Sequence, residues 1–154
     1  MKKNKMKIRK IKNTEFEDFY GLRIEGIKYF RKISSEKIPI TKAKLKKEFS
    51  KRINDKEVFL YFLENNGKIL GYLDFNIWKK LHTPTSYLND LVIKEGFRGK
   101  GYGKKLTKWF ISFSKKKCVK RIGLGIRIEN KRALRLYKKL GFEIIGYNLG
   151  MKPK

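Results

Sequence analysis

The run GFRGKGYGKKL, Gly96 to Leu106, sets four glycines and four cations in eleven residues, two places after the apolar LVI and before TKWFISFSKK. Glycine loses more backbone freedom on folding than any other residue. Several together mark a place where the chain turns left-handed or something comes close to its backbone. A strand, a glycine-rich turn and a helix start in succession also make an anion site. The first amides of the helix lack an intrahelical acceptor, and its dipole adds positive potential. Two familiar phosphate loops fail here. The Walker pattern needs glycine five places before a Gly-Lys pair, where Arg98 precedes Gly103-Lys104, and Ser or Thr where Lys105 stands. The dinucleotide fingerprint begun at Gly99 needs a glycine at Lys104.

The rest of the chain surrounds this turn with alternating elements. MKIRKIK (6–12) reads as a first strand. In the next segment Thr14 is placed to cap a helix whose Phe16, Phe19, Tyr20, Ile24, Ile27 and Phe30 fall at helical spacing, ending near Ser34. TKAKLKKEFSKRI, after Pro39, is a weaker second helix. EVFLYFLE (57–64) and KILGYLDFNIWKK (68–80) flank the hairpin signal NNG. SYLNDLVI (86–93) is the strand that feeds the glycine turn, and the helix after it has apolar positions Tyr102, Leu106, Phe110 and Phe113. KRIGLGIRI (120–128) is a further strand, NKRALRLYKKLGF a helix capped by Asn130 and stopped at Gly141, and EIIGYNLGM a last strand. The order β-α-α-β-β-β-α-β-α-β implies one α/β domain over 1–154, a mixed sheet covered by helices.

Composition narrows the class. With 40% hydrophobic residues the chain of 154 can bury a core. Spanning a bilayer takes an apolar run of roughly 20 residues. No run in this sequence approaches that length. The amino-terminal MKKNKMKIRKIKN is basic but lacks the apolar stretch of a secretory signal. One cysteine, Cys118, and one histidine, His82, exclude an internal disulfide and supply too few ligands for a Cys/His zinc site, so no metal is expected. These features suit a reducing cytoplasm. The charge is unusual: 41 Lys and Arg against 14 Asp and Glu, formally +27. Two readings stay open, a solvated and very soluble surface or an attraction to a polyanion such as RNA.

The remaining pattern, Arg98-x-x-Gly101-x-Gly103 directly after a strand, resembles the pyrophosphate-binding loop of the GNAT superfamily of acetyl-CoA-dependent N-acetyltransferases. DLVIKEGFRGKGYGKKL (90–106) is similar to that family's central strand, loop and helix without a gap. In ENKRALRLYKKLGF, Asn130, Ala133, Tyr137 and Gly141-Phe142 match its second signature. Close resemblance covers 86–147; residues 1–85 match in element order alone. It implies a largely antiparallel mixed sheet with helices on both faces and a splayed wedge holding acetyl-CoA. Backbone groups of Leu91 and Ile93 would pair with the pantetheine arm. Amides from Gly99 through Lys100, Gly101, Tyr102 and Gly103 to Lys104 would cradle the pyrophosphate, with Arg98, Lys100 and Lys104 adding positive potential. Asn130 would reach the cofactor, although helix capping also accounts for it.

The resemblance also implies a reaction, acetyl transfer to a primary amine. Tyr137 matches the residue that the family uses as acid toward the leaving thiolate, although core packing explains it too. A strand amide near Leu91 is the oxyanion donor. Asp90 is the first candidate base, working through a water chain, with Glu64 the second; pairing with a lysine is the plainer role for Asp90. A solvated loop is the simpler account of His82, and packing or exposure that of Cys118. The acceptor wall falls on roughly residues 25–41 and 142–149, with Glu25, Tyr29 and Phe30 as candidates. The net charge speaks against free polyamines, unless an acidic pocket overrides it, and suits an acceptor on a ribosomal or nucleic-acid-associated protein. The alternatives are a non-enzymatic nucleic-acid-binding protein on the same scaffold and a small-molecule amine acetyltransferase, aminoglycoside-like targets included.

Overall fold

The computed structural model describes residues 6–34, 39–80 and 82–151. In chain order these form β1 (Met6–Lys10), α1 (Phe16–Ile33), α2 (Lys42–Ile53), β2 (Val58–Asn65), β3 (Lys68–Trp78), β4 (Thr85–Ile93), a single 3-10 turn at Glu95–Phe97, α3 (Tyr102–Lys116), β5 (Arg121–Leu124) and α4 (Lys131–Lys139). The strands lie in sequence order in one sheet, β1 to β4 antiparallel and β5 parallel to β4. This is the mixed, largely antiparallel sheet expected from the sequence. Among the described residues no helix is long and apolar enough to cross a membrane.

Both faces of the sheet are covered, which is why β2 is apolar at nearly every position. Val58, Leu60 and Phe62 join Tyr72 and Val92 beneath α1 and α2, against Phe16, Phe19, Leu22, Leu45 and Phe49. Leu63, Leu73, Phe75, Ile77 and Leu88 face the other way, onto Leu106 and Phe110 of α3. Phe59, Tyr61, Trp109 and Phe113 pack as rings at the margin of that second core. A fully buried hydrogen bond from Ser114 Oγ to Ser86 Oγ, 2.8 Å, ties α3 to β4. The β2–β3 hairpin turns at Asn66-Gly67, both at positive φ (49° and 78°). An Asn-Gly pair favours such a two-residue turn.

Three expectations are corrected. Thr14 does not cap α1: Glu15 occupies that position, where its carboxylate accepts from Lys12 N (2.8 Å) and from both Arg9 Nη atoms (2.9 and 2.8 Å). The strand foreseen over 120–128 is only Arg121–Leu124, because its ladder with β4 stops at Leu88–Leu124. The last strand over 143–151 is absent. Those residues carry no regular structure, and Ile145, Tyr147, Leu149 and Met151 stand exposed. A strand persists only in a ladder. The terminal strand beyond β4 is four residues long and offers little to pair with.

Glu64 has a structural role at the β1 edge of the sheet. Its carboxylate accepts from Arg9 Nε (2.6 Å) and pairs with Lys7 Nζ (2.9 Å), and these partners hold it below the usual 4.5. A carboxylate depressed in the folded state stabilises above its unfolded pKa and loses that contribution as pH falls through the folded value. Glu64→Gln should therefore lower stability by about 1 kcal/mol at neutral pH and lower Tm by a few degrees. Thermal melts should show the gap closing as the carboxylate is protonated in acid; an equal gap at neutral and acid pH contradicts this.

Candidate active site

The site begins with a one-residue slip in β4. Asp90 lies opposite Asp74, but the next pair is Leu88 with Phe75, so Asn89 is an extra residue. Such a bulge bends its strand and breaks the alternation of faces. Both Asn89 and Asp90 reach side chains on the α1/α2 side: Asn89 Nδ2 donates to Asp74 Oδ1 (3.1 Å) and Asn76 Oδ1 (2.6 Å), and Asp90 accepts from Tyr72 and Arg23. At this point β4 and β5 part, their ladder covering only Thr85–Leu88 against Arg121–Leu124. Lys94 N donates to Leu70 O at 2.8 Å. By alternation the backbone groups of Leu91 and Ile93 turn away from β3, toward the gap. Arg98 Nε reaches Ile93 O from that side, at 2.8 Å.

Beyond β4 the glycine loop forms a nest of amides. Gly99 and Gly101 take φ of 82° and 83°. That region is costly for residues with a side chain. Helix α3 starts from Gly101, and its first hydrogen bond runs from Lys105 N to Gly101 O at 3.0 Å. The amides of Tyr102, Gly103 and Lys104 precede that bond and point outward from the helix start. Gly103 differs from its neighbours. An added Cβ there meets nothing closer than Leu136 Cδ2 at 3.7 Å and Leu91 Cδ2 at 4.0 Å, so the bare glycine leaves room on a cavity wall.

That cavity, about 560 Å³, runs between α1, the parted strands, the loop and α4. A smaller recess of about 260 Å³ opens under α1 and α2, lined by Glu48, Arg52 and Asp74 among others. Arg23, Asn89 and Asp90 border both. Arg52 holds Asp74 through Nε (2.9 Å), yet burial still raises the Asp74 carboxyl above its ordinary 3.8. Tyr137 of α4 borders the large cavity, and burial, with the Asp90 charge, pushes its hydroxyl up to about 12.

Comparison with known proteins agrees with this arrangement: the Acetyltransferase (GNAT) family matches residues 23–142. The chain belongs to the GNAT acetyltransferase family. An uncharacterized N-acetyltransferase of Methanocaldococcus jannaschii is 27% identical over 140 residues, 88% of this chain and 60% of that protein. A thialysine N-epsilon-acetyltransferase of Bos taurus is 35% identical over 75 residues, 49% of this chain and 42% of that one. The chain thus spans between two fifths and three fifths of the length of these curated relatives. Among solved structures, an aminoglycoside N-acetyltransferase in complex with CoA superposes with a TM-score of 0.76 at 17% identity, covering 98% of this chain and 96% of its own. At that identity the likeness is one of fold.

As a GNAT chain it brings most of the expected site residues to one cavity. Leu91, Ile93, Arg98, Gly99, Gly101, Gly103, Lys104, Asn130, Tyr137 and Asp90 all border it. Lys100 and Tyr102 do not: the Lys100 ammonium lies 5.3 Å from the Phe97 ring centroid, and Tyr102 packs edge-on to the same ring. Their amides remain part of the nest. Arg98 is engaged by Ile93 O and lies 4.8 Å over the Tyr29 ring, so it braces the loop. Asn130 Oδ1 accepts from Ala133 N (3.2 Å), a helix cap at the cavity edge. Glu64 is not brought to the site at all, held as it is by Arg9 and Lys7. Glu25 accepts from Glu95 N (2.9 Å) and so serves the turn after β4, while Tyr29 and Phe30 border the large cavity. Of the expected acceptor wall, residues 35–38 lie outside the described residues. His82 and Cys118 are exposed and border neither cavity. Among the described residues no three His, Cys, Asp or Glu side chains are grouped to hold a metal.

Sequence reasoning missed Arg132, Tyr72 and Arg23. Arg132 extends from the first turn of α4 until its Nη2 stands 3.2 Å from where a Gly99 Cβ would be, adding a cation to the far side of the nest. Its place two residues after the Asn130 cap was the available signal.

The nest and Gly103 give a clean test of anion binding. At Gly103 an added Cβ makes only ordinary van der Waals contact, and φ lies outside the left-handed region. Valine is the better helix former, so Gly103→Val carries no propensity cost and the domain should fold. Its branched side chain should still reduce CoA affinity at least tenfold by calorimetry. Unchanged affinity in a folded variant contradicts the placement of the diphosphate.

Proposed function

We propose that this chain moves an acetyl group from acetyl-CoA to a primary amine. The observation that carries the reading is the conjunction of a parted β4–β5 pair, outward-facing backbone at Leu91 and Ile93, and a nest of amides with Lys104 and Arg132 beside it. The pantetheine arm would lie along Leu91 and the Ile93 N–H as an added strand does. The diphosphate would take the amides from Gly99 to Lys104, by the logic of anion sites at helix starts. A protein that only bound nucleic acid on this scaffold would leave the wedge without a ligand.

Acetyl-CoA supplies a thioester whose acyl carbon is open to attack. The amine nitrogen forms a bond to that carbon, the carbon–sulfur bond breaks, and one proton leaves the nitrogen. An amine of ordinary basicity, with a pKa of about 10.4, is mostly protonated at neutral pH, so a base is needed. Asp90 is that base, acting through water. The Leu91 amide faces the gap and donates to the acyl oxygen as charge develops on it. Tyr137 donates to the departing sulfur. Its pKa stands at about 12. Against about 8.5 for an ordinary thiol, full proton transfer would be uphill by roughly 5 kcal/mol. Tyr137 therefore acts as a hydrogen-bond donor that stays protonated throughout the working pH range.

The acceptor enters where the two cavities meet, at Arg23, Asn89 and Asp90. A primary amine displayed on an anionic body, such as a nucleic-acid-associated protein, suits the +27 surface. That attraction weakens with salt. A small cationic amine has its own supporting observation. The recess holds three carboxylates, Glu48, Asp74 and Asp90, against two guanidinium groups, Arg23 and Arg52, a local acidic excess inside a basic protein. The bovine relative's name, which specifies the epsilon nitrogen of thialysine, is compatible with such an acceptor.

Screening free amines, peptides and nucleic-acid-bound proteins for thiol release from acetyl-CoA decides among these. Turnover with at least one class is expected, and none with any amine would overturn the transferase reading. Tyr137→Phe should lower kcat about tenfold or more while CoA affinity stays within twofold. In the unmodified protein no loss of turnover in mildly alkaline solution should trace to Tyr137, whose donor is lost only at about 12. Unaltered kcat in Tyr137→Phe assigns the ring to packing alone.

A further inference from the structure

Beneath the wedge, β3 and α1 direct two polar groups at a single oxygen. The Tyr72 hydroxyl donates to Asp90 Oδ2 from β3, and Arg23 Nη1 donates to the same Oδ2 from α1. Asp90 Oδ1 accepts no hydrogen bond among the described residues, and Asp90 borders both cavities. We infer that Tyr72 and Arg23 are positioning residues, which saturate one oxygen of Asp90 so that the other is presented to the incoming amine. This rests on the reading of Asp90 as the base.

Apolar packing does not account for the hydroxyl. Tyr72 is fully buried, packed 4.9 Å from the Phe19 ring centroid amid Phe62, Leu60 and Val92. A phenylalanine fills that space equally well, so the ring's packing does not require the hydroxyl, whose charge-assisted bond to the carboxylate is an added stabilisation. Burial first, and then the Asp90 charge, lifts the Tyr72 hydroxyl well above its ordinary value, so it remains a donor throughout the working range. The ring has no room to swing, which fixes the direction of its hydroxyl.

The charged and titratable groups around Asp90 come from every neighbouring element. Arg23 lies on α1, Glu48 and Arg52 on α2, Tyr72 and Asp74 on β3, and Tyr137 on α4. Asp74 stands directly opposite Asp90 in the ladder. Two like charges so placed repel. Arg52 offsets the first carboxylate and Arg23 the second. Without either Tyr72 or Arg23 the Asp90 carboxylate is free to turn, and its open oxygen is no longer held toward the acceptor.

The test compares Tyr72→Phe, Arg23→Gln, Arg23→Lys and Asp90→Asn in the full chain. Thiol release from acetyl-CoA is followed at one fixed pH, with n-propylamine as probe and thioester hydrolysis by water as the rate that needs no amine. CoA affinity and near-ultraviolet circular dichroism report folding. Asp90→Asn should lose turnover at least a hundredfold. Tyr72→Phe and Arg23→Gln should lose about tenfold or more in kcat and keep CoA affinity within twofold. Arg23→Lys should restore most of the kcat that Arg23→Gln loses. If Asp90→Asn is impaired while Tyr72→Phe keeps unmodified turnover, the positioning role is overturned and the base survives. If Asp90→Asn turns over normally, the base reading itself falls. Tyr72→Phe is nearly isosteric, so it decides the matter even if Arg23→Gln fails to fold.

Discussion

A single extra residue, Asn89, sets the geometry on which everything else depends. Without it, β4 would continue beside β5, Leu91 and Ile93 would spend their backbone groups on a neighbouring strand, and no gap would exist. With it, the ladder ends at Leu88 and Leu124 and the two strands diverge. The slip also brings Asn89 and Asp90 to one side. There Asp74 and Asn76, themselves held by Arg52, secure the first, and Tyr72 and Arg23 secure the second. A bulge bends the strand that carries it and leaves a residue unpaired in the ladder. Here side chains from α1, α2 and β3 hold that bend in place, so the face that receives an acceptor and the edge that receives an acyl carrier share one strand and one distortion.

Charge divides along the same line. From Gly96 onward the chain has 18 Lys and Arg and only two acids, Glu129 and Glu143. This segment contains the amide nest, α3 and α4, and suits a ligand with several phosphates. The α1/α2 side contributes Glu48, Asp74 and Asp90 at the recess, paired unevenly with two arginines. A carrier with phosphates and an acceptor with an amine are thus met by opposite local potentials a few residues apart in β4. The surrounding positive field acts at long range on both, and only the short-range pairing distinguishes them.

Much of this architecture is local and therefore legible in the sequence. Alternation marks the strands, Asn66-Gly67 marks the hairpin, Thr41 and Asn130 accept from Lys44 and Ala133 as helix caps, and the glycines at 99 and 101 take the positive φ that only they bear easily. What escapes is set by partners far away in the chain. Nothing in SYLNDLVI distinguishes Asn89 as the extra residue, because its reason lies in Asp74 and Asn76 across the sheet. Arg9 takes Glu15, so Thr14 is left without the capping role that its local sequence offers. Tyr72 and Arg23 carry no local signal of their role, which exists only once α1 folds onto β4. Glu64, a plausible base by its place at a strand end, is taken by Arg9 and Lys7 of β1. The apolar period-two pattern of 143–151 predicts a strand, but a pattern alone supplies no neighbouring ladder.

Backbone amide resonances of uniformly labelled protein, followed while CoA is added, address the central claim most directly. The amides of Gly99, Gly101, Tyr102, Gly103 and Lys104 should shift together with Leu91 and Ile93, saturate at one affinity, and gain protection from hydrogen exchange. If CoA binds while these amides stay unmoved, or shifts gather on another surface, the loop does not hold the diphosphate and the wedge is not where the acyl carrier lies.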